Sequence, residues 1–173
     1  MFADQDYGPD QVAIRYKDYT AIGPEGFVRA YRDILQAGAG PNGAYTQIFS
    51  HLAQERPTPM LVNCTAGKDR TGVIVALLLT LAGVEADVTA DEYALTEQGL
   101  RDLRPVFVER LQRNPALMGN EEGVLRMVSS KKENMLAALE MIEKDFGGIV
   151  QYMKKDCGLS DAEVEQIRRN LLQ

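Results

Sequence analysis

The chain has 173 residues, of which 45% are hydrophobic and 25% are charged, and its formal net charge is −6. These fractions are typical of a globular protein and exclude the collagen-like, disordered and disulfide-scaffold classes. An acidic surface repels nucleic acid and anionic lipid, so we expect no nucleic-acid partner and no peripheral membrane module.

The length fits a single domain over residues 1–173. Residues 1–10 lack the apolar stretch of a secretion signal. The longest apolar run, residues 73–84, is too short to cross a bilayer, so no integral membrane segment is expected. Cys64 and Cys157 lie far apart and, with one histidine, form no metal-ligand pattern. We therefore expect a cytoplasmic protein with free thiols, no metal and no cofactor.

The first third of the chain predicts one extended segment and two helices. Residues 12–19 alternate loosely between apolar and polar side chains, which favours a short strand or extended arm. Pro24 favours a helix start, and apolar residues follow it at helical spacing up to residues 38–43, which are rich in glycine. A second amphipathic helix is expected over residues 45–52.

The middle of the chain predicts a strand, a loop and a buried helix. Pro57 and Pro59 favour an extended entry into residues 60–62, a short apolar run that suits a buried strand. Polar and glycine-containing residues follow, and the apolar residues 73–81 then predict a buried helix.

The second half, about residues 89–173, is predicted to be almost entirely helical. Capping boxes and apolar spacing place helices after Thr89 and Glu92, over residues 103–111 and 132–146, and after Ser160 and Glu163. Residues 114–130 have weak periodicity and several turn formers, so they predict a mobile loop or lid.

The residues that carry chemistry lie between the predicted strand and the buried helix. Cys64 ends the strand and Arg70 begins the helix, so backbone N–H groups of the intervening loop would point at the thiol. Such a ring of donors suits a tetrahedral oxyanion such as phosphate. It also stabilises the thiolate, which is the nucleophilic form of cysteine.

Each further side chain of this loop has a role in one reaction. The Arg70 guanidinium would hold two phosphoryl oxygens and neutralise charge that develops during transfer. Gly67 gives the backbone room to approach the ligand, and Lys68 adds a positive charge at the mouth. The Thr71 hydroxyl can donate to the thiolate. Asp69 either protonates the leaving oxygen or merely complements the helix dipole.

The segment C-T-A-G-K-D-R-T-G, residues 64–72, resembles the signature loop of the cysteine-dependent protein-tyrosine phosphatase superfamily. Its Lys-Asp pair resembles the bacterial and fungal tyrosine/serine phosphatase branch, which residues 91–96 and 135–148 also match. The resemblance implies an α/β fold like that of protein-tyrosine phosphatases, with a reduced or incomplete parallel sheet and a helical second half. It implies a phosphate-binding set formed by Thr65, Ala66, Gly67, Lys68, Asp69 and Arg70, and a catalytic set formed by Cys64, Arg70, Asp69 and Thr71.

The same resemblance implies a phosphomonoester hydrolase that works through a phosphocysteine intermediate. The expected substrates are phosphotyrosine proteins, with phosphoserine, phosphothreonine and phosphoinositide as alternatives. The sequence departs from the family pattern at two points, and these departures suggest an alternative function. Asn63 stands where the family has histidine, and the usual N-terminal portion of the branch has no counterpart ahead of Cys64, as in a truncated member. The alternative is a catalytically impaired pseudophosphatase that binds phosphate.

Overall fold

The structure is a computed structural model that describes the backbone of residues 9–173 and the side chains of residues 13–173. Besides its α-helices, the described part of the chain contains a 3₁₀ turn, Pro115–Leu117, and a π-helical turn, Tyr152–Asp156. The described residues form these helices: α1 Pro9–Thr20, α2 Glu25–Gly38, α3 Ala44–Leu52, α4 Asp69–Leu81, α5 Ala86–Ala94, α6 Thr96–Gly99, α7 Arg104–Gln112, α8 Glu121–Met127, α9 Lys132–Phe146, α10 Ile149–Gln151 and α11 Asp161–Leu171.

The predicted α/β fold is wrong for this part of the chain, because residues 9–173 contain no β-strand. Residues 12–19, predicted to be a strand or extended arm, lie within α1. Residues 60–62, the predicted buried strand, have no regular secondary structure, and Leu61 is 89% exposed. A strand requires backbone hydrogen bonds to a neighbouring strand, and the described residues supply no such neighbour.

Five predicted helices are confirmed. These are α2, α3, α4, α7 and α9. The capping box before α11 is also confirmed, since Ser160 Oγ accepts from the Glu163 N–H and the Glu163 carboxylate accepts from the Ser160 N–H. Strong apolar periodicity and a complete cap fix these elements locally.

Two predictions about the second half are wrong. Thr89 caps no helix but lies inside α5, where its hydroxyl is buried without a hydrogen-bond partner among the described residues. The predicted loop over residues 114–130 contains the 3₁₀ turn and α8, which bury Leu117 and Val124. Two buried apolar side chains are too few to produce a periodic signal in the sequence.

Helix α4 is the element around which the site is built. It packs against α2, α5 and α10, and its buried side chains are Val73, Ile74, Ala76, Leu77 and Leu81. Full burial of one such aliphatic side chain contributes about 1.5–3 kcal/mol relative to exposure. The start of α4 is therefore held by a well-packed helix body.

An edge-to-face series of aromatic rings joins α1, α2 and α5 beside the start of α4. The ring centroids of Tyr19 and Phe27 are 5.2 Å apart, those of Phe27 and Tyr31 are 5.9 Å apart, and those of Tyr31 and Tyr93 are 6.4 Å apart. Such pairs contribute about 0.5–1.5 kcal/mol beyond their buried area. This series forms the floor beneath the loop that carries Cys64.

In the part of the chain that the structure describes, no helix combines the length and the hydropathy needed to cross a lipid bilayer.

Candidate active site

Residues 64–68 connect the irregular segment before them to α4. Gly67 has φ of 68°, a left-handed conformation that L side chains rarely adopt, so the backbone at this position requires glycine. No side chain caps the first N–H groups of α4. A 13-residue helix with an uncapped N-terminus is a favourable place for an anion.

The Cys64 thiol is half-buried and unpaired, and its environment favours ionisation. Burial alone would raise the pKa of this thiol. Hydrogen bonding by the Thr71 hydroxyl and by the N–H groups of Thr71 and Ala66 acts in the opposite direction, as does the Arg70 charge. The net result is a pKa below the ordinary value for cysteine, so more thiolate is present near neutral pH.

The Thr71 hydroxyl is a second feature of the thiol's surroundings. Among the described residues, Thr71 Oγ1 is buried and forms no well-aligned hydrogen bond. Among the groups that lower the pKa of the Cys64 thiol, the Thr71 hydroxyl nevertheless has the largest effect. We conclude that the hydroxyl is available to a thiolate at Cys64.

The backbone of Arg70 is held by a hydrogen bond, whereas its guanidinium forms no ion pair with the described residues. Its carbonyl oxygen accepts a 2.6 Å hydrogen bond from Tyr45 Oη, and Tyr45 is fully buried. Its Nη2 donates to Thr65 Oγ1 at 3.1 Å, which folds the guanidinium back over the loop. Within residues 13–173, Arg70 forms no ion pair, so its charge is available to an anion.

The loop faces a cleft of about 160 Å³. Five of the predicted site residues line it, namely Cys64, Thr65, Ala66, Asp69 and Arg70. Thr71 lies behind Cys64, and Gly67 and Lys68 do not line this cleft. The cleft therefore brings the predicted nucleophile and the predicted phosphate-binding arginine to one cavity.

The sequence predicts that Lys68 lies at the mouth of the loop, but its side chain is buried inside the protein. It is 4% exposed, and its Nζ donates to Asp69 Oδ1 at 2.6 Å. The same ammonium lies 5.0 Å from the ring centroid of Phe27 and 5.7 Å from that of Tyr19. Its charge is thus neutralised by one carboxylate and two aromatic faces.

Asp69 belongs to a network of buried hydrogen bonds. Its Oδ1 accepts from Lys68 and also from Tyr31 Oη, at 3.0 Å. Tyr31 Oη lies 2.6 Å from Tyr93 Oη. Tyr93 also covers Gly72, where an added Cβ would come within 2.9 Å of the Tyr93 ring. These contacts fix the orientation of the Asp69 carboxylate.

Three residues that matter here were missed as site residues in the sequence. Tyr31 and Tyr45 read only as apolar-face residues of α2 and α3, because nothing in a linear sequence pairs a tyrosine hydroxyl with a loop 25–38 residues away. Asp33 lines the same cleft as Cys64. Burial and the nearby Asp18 raise the pKa of the Asp33 carboxyl above its ordinary value.

The side chain of Asn63, which directly precedes Cys64, does not anchor the loop by hydrogen bonding to the described residues. This side chain is exposed and forms no hydrogen bond with any residue that the structure describes. The loop geometry around Cys64 therefore rests on Thr71, Arg70 and the tyrosines behind them.

Comparison with known proteins identifies the family of the chain. The family described as "Tyrosine phosphatase family" matches residues 4–173. The chain belongs to this family. The predicted resemblance to the bacterial tyrosine phosphatase branch is thereby confirmed.

Two curated relatives of this tyrosine phosphatase family member come from bacteria. A "Tyrosine-protein phosphatase" of Nostoc commune is 33% identical over 132 residues, which cover 73% of this chain and 44% of the relative. The "Triple specificity protein phosphatase PtpB" of Mycobacterium tuberculosis (strain ATCC 25618 / H37Rv) is 30% identical over 141 residues, which cover 77% of this chain and 50% of the relative. The chain spans about half the length of the curated relatives it matches.

Proposed function

We propose that this family member hydrolyses phosphomonoesters through a phosphocysteine intermediate. The observation that carries the proposal is the Cys64 thiol of lowered pKa in one cleft with an Arg70 guanidinium that forms no ion pair within residues 13–173. An ionised nucleophile and a phosphoryl-binding fork are the two groups that this chemistry requires.

The reaction proceeds in two steps. The Cys64 thiolate attacks phosphorus, the phosphorus–oxygen bond to the leaving group breaks, and an acid gives the leaving oxygen a proton. Water then attacks the phosphocysteine, which releases inorganic phosphate and regenerates the thiolate. The Arg70 guanidinium and the N–H groups of residues 65–70 hold the phosphoryl oxygens in both steps. The Thr71 hydroxyl stabilises the thiolate as it leaves.

Phosphotyrosine is the first substrate of the proposal. Both curated relatives carry names of phosphatases, one a tyrosine-protein phosphatase and one a triple specificity protein phosphatase. Phosphoserine and phosphothreonine are the second substrates of the proposal.

Cys64 is tested by hydrolysis of p-nitrophenyl phosphate. We expect the wild type to turn over, with inhibition by vanadate, and Cys64→Ser to lose activity while it still binds phosphate in calorimetry. Cys157→Ala is the matched control, because Cys157 is buried in the core and has no part in the site. The proposal is wrong if Cys64→Ser retains the wild-type rate, or if the folded wild type shows no turnover.

The general acid is proposed to be Asp69 or Asp33, and variants separate the two. Asp69 Oδ1 already accepts two hydrogen bonds, whereas Asp33 faces the cleft with a raised carboxyl pKa and so keeps its proton to higher pH than an ordinary aspartate. If Asp33 is the acid, Asp33→Asn removes the fall of kcat as pH rises through that pKa. Asp69→Asn instead leaves the buried Lys68 charge without its partner, so we expect it to lower the melting temperature as well. An unchanged pH profile in Asp33→Asn assigns the acid to Asp69.

The second candidate function is a phosphate-binding module without turnover. It is favoured by the exposed Asn63 side chain and by the engagement of Asp69 with Lys68 and Tyr31. Phosphate binding by the wild type without hydrolysis of any aryl phosphate supports this candidate.

A further inference from the structure

A second cleft, of about 290 Å³, adjoins the Cys64 cleft. The two clefts share Thr65, Ala66 and Asp69 as lining residues. A phosphoryl group held at Cys64 would therefore have its ester oxygen beside the entrance to the second cleft. Whatever is attached to that oxygen can pass over the loop into this space.

The walls of the second cleft are mostly apolar. They come from α7, from the end of α8 and from the turn before α7. The apolar side chains are Leu100, Phe107, Leu111, Met127 and Val128, and Tyr16 of α1 adds a further ring. An apolar wall of this kind binds an apolar body and gains little from a hydrated polar one.

Of the cationic side chains that line the second cleft, one is already paired within the protein and one, with no partner among the described residues, is free to bind a ligand. Two cations line it, Lys68 and Arg110. Lys68 is committed to Asp69 and to the rings of Tyr19 and Phe27. Arg110 is exposed and forms no ion pair or hydrogen bond with residues 13–173 through its side chain. One uncommitted guanidinium thus stands beside an apolar wall.

We propose that the second cleft selects the leaving group, and that it selects a phosphotyrosine peptide in which an apolar side chain and an acidic side chain flank the phosphotyrosine. The apolar side chain fills the cleft and the acidic one pairs with Arg110. This inference rests on the proposed function of Cys64. A phosphorylated inositol headgroup is disfavoured, because several phosphates need several free cations and the described residues that line this cleft offer one, Arg110.

Peptide substrates test the selection directly. The probes are a phosphotyrosine peptide with Leu and Asp after the phosphotyrosine, the same peptide with Gly in place of Leu, and the same peptide with Asn in place of Asp. We expect Leu over Gly to raise kcat/KM by about tenfold, as burial of an aliphatic side chain in a pocket does. We expect Asp over Asn to raise kcat/KM by about two- to fivefold at low salt, in line with a partly exposed ion pair.

Variants assign these preferences to the second cleft. Arg110→Gln is expected to abolish the Asp-over-Asn preference, and Phe107→Ala to reduce the Leu-over-Gly preference. Arg101→Gln is the matched control, since Arg101 is also exposed and lines neither cleft. If Phe107→Ala fails to fold, as judged by its thermal melt, the smaller truncation Leu111→Ala serves in its place.

The outcomes separate this inference from the proposed function. Equal kcat/KM for the three peptides, an unchanged Asp-over-Asn preference in Arg110→Gln, or faster hydrolysis of dioctanoyl phosphatidylinositol 3-phosphate than of the Leu-Asp peptide overturns the inference. These three outcomes leave the proposed function unaffected. The proposed function fails if p-nitrophenyl phosphate is not hydrolysed. In that case peptide affinity for Cys64→Ser, measured by calorimetry, decides the inference: tighter binding of the Leu-Asp peptide supports it, and equal binding overturns it.

Discussion

The two ends of the Cys64 loop are held in different ways. On the entry side, residues 57–63 form no backbone-to-backbone hydrogen bond with the described residues, and Leu61 and Asn63 are exposed. On the exit side, the Tyr45 hydroxyl donates a hydrogen bond to the Arg70 carbonyl, and the Tyr31 hydroxyl donates one to the Asp69 carboxylate. The comparison shows that the start of α4, rather than the segment before Cys64, fixes the site.

The physical reason lies in burial. The exit side lies against three tyrosines, Tyr31, Tyr45 and Tyr93, that are each at most 2% exposed. Hydrogen bonds in such surroundings lose little to competition with water and their loss is costly. The entry side is open to solvent, where a backbone hydrogen bond to water is a ready substitute. Substitutions on the two sides should therefore have unequal effects.

The largest effect is expected on the exit side, from Tyr45→Phe. The change removes the hydrogen bond to the Arg70 carbonyl, which should cost about 1 kcal/mol of stability, and the carbonyl stays buried. Because the displaced backbone carries Arg70, the side chain proposed to bind the phosphoryl group, kcat should fall by about tenfold. Chemical denaturation and p-nitrophenyl phosphate turnover measure the two quantities.

The control for Tyr45→Phe is Tyr152→Phe. Tyr152 Oη donates at 2.7 Å to the buried Leu35 carbonyl, so the same group is lost in the same kind of surroundings away from the loop. We expect a similar loss of stability with kcat unchanged. Equal kcat losses in both variants would mean that the tyrosines act through general stability and not through Arg70.

An intermediate effect is expected from Thr71→Val, which removes the strongest of the influences that lower the Cys64 pKa. The sign follows from the wild type: a lowered pKa keeps Cys64 alkylation fast at pH values where an ordinary thiol is protonated, so the variant's alkylation profile should move to higher pH. Iodoacetamide reaction rates across pH measure this, and Cys157 interferes little because burial raises the pKa of its thiol.

Thr80→Val controls for the loss of a buried hydroxyl in the same helix. Among the described residues, Thr80 Oγ1 is also buried without a hydrogen-bond partner, and Thr80 lies nine positions after Thr71 in α4. Both substitutions should change stability by a similar, small amount, but only Thr71→Val should move the alkylation profile. Identical profiles for the two variants would contradict the assignment of the hydroxyl to Cys64.

The smallest effect is expected on the entry side, from Asn63→His. An exposed side chain without contacts should change stability by no more than about 0.5 kcal/mol, and kcat should stay within about twofold of the wild type. Denaturation and steady-state kinetics at one pH are sufficient. A gain of tenfold or more would show that the entry side does control the site, and would favour the impaired-enzyme alternative.

Much of the helical framework and the identity of the loop could be predicted from the sequence. Apolar spacing located α2, α4 and α9, and the run from Cys64 to Gly72 identified the family before any contact was known. The absence of a sheet from residues 9–173 could not be predicted, because a short apolar run such as residues 60–62 becomes a strand only when another segment pairs with it.

The sequence by itself determined which residue types meet at one loop, because a cysteine, a glycine of left-handed conformation and an arginine at a helix start lie within a few residues of each other in the chain. Only the tertiary structure decided that Lys68 turns inward, that Tyr45 anchors Arg70 and that Asp33 shares the cleft with Cys64. These relations join residues from different helices, and the packing of those helices, not their order in the chain, sets which side chains meet.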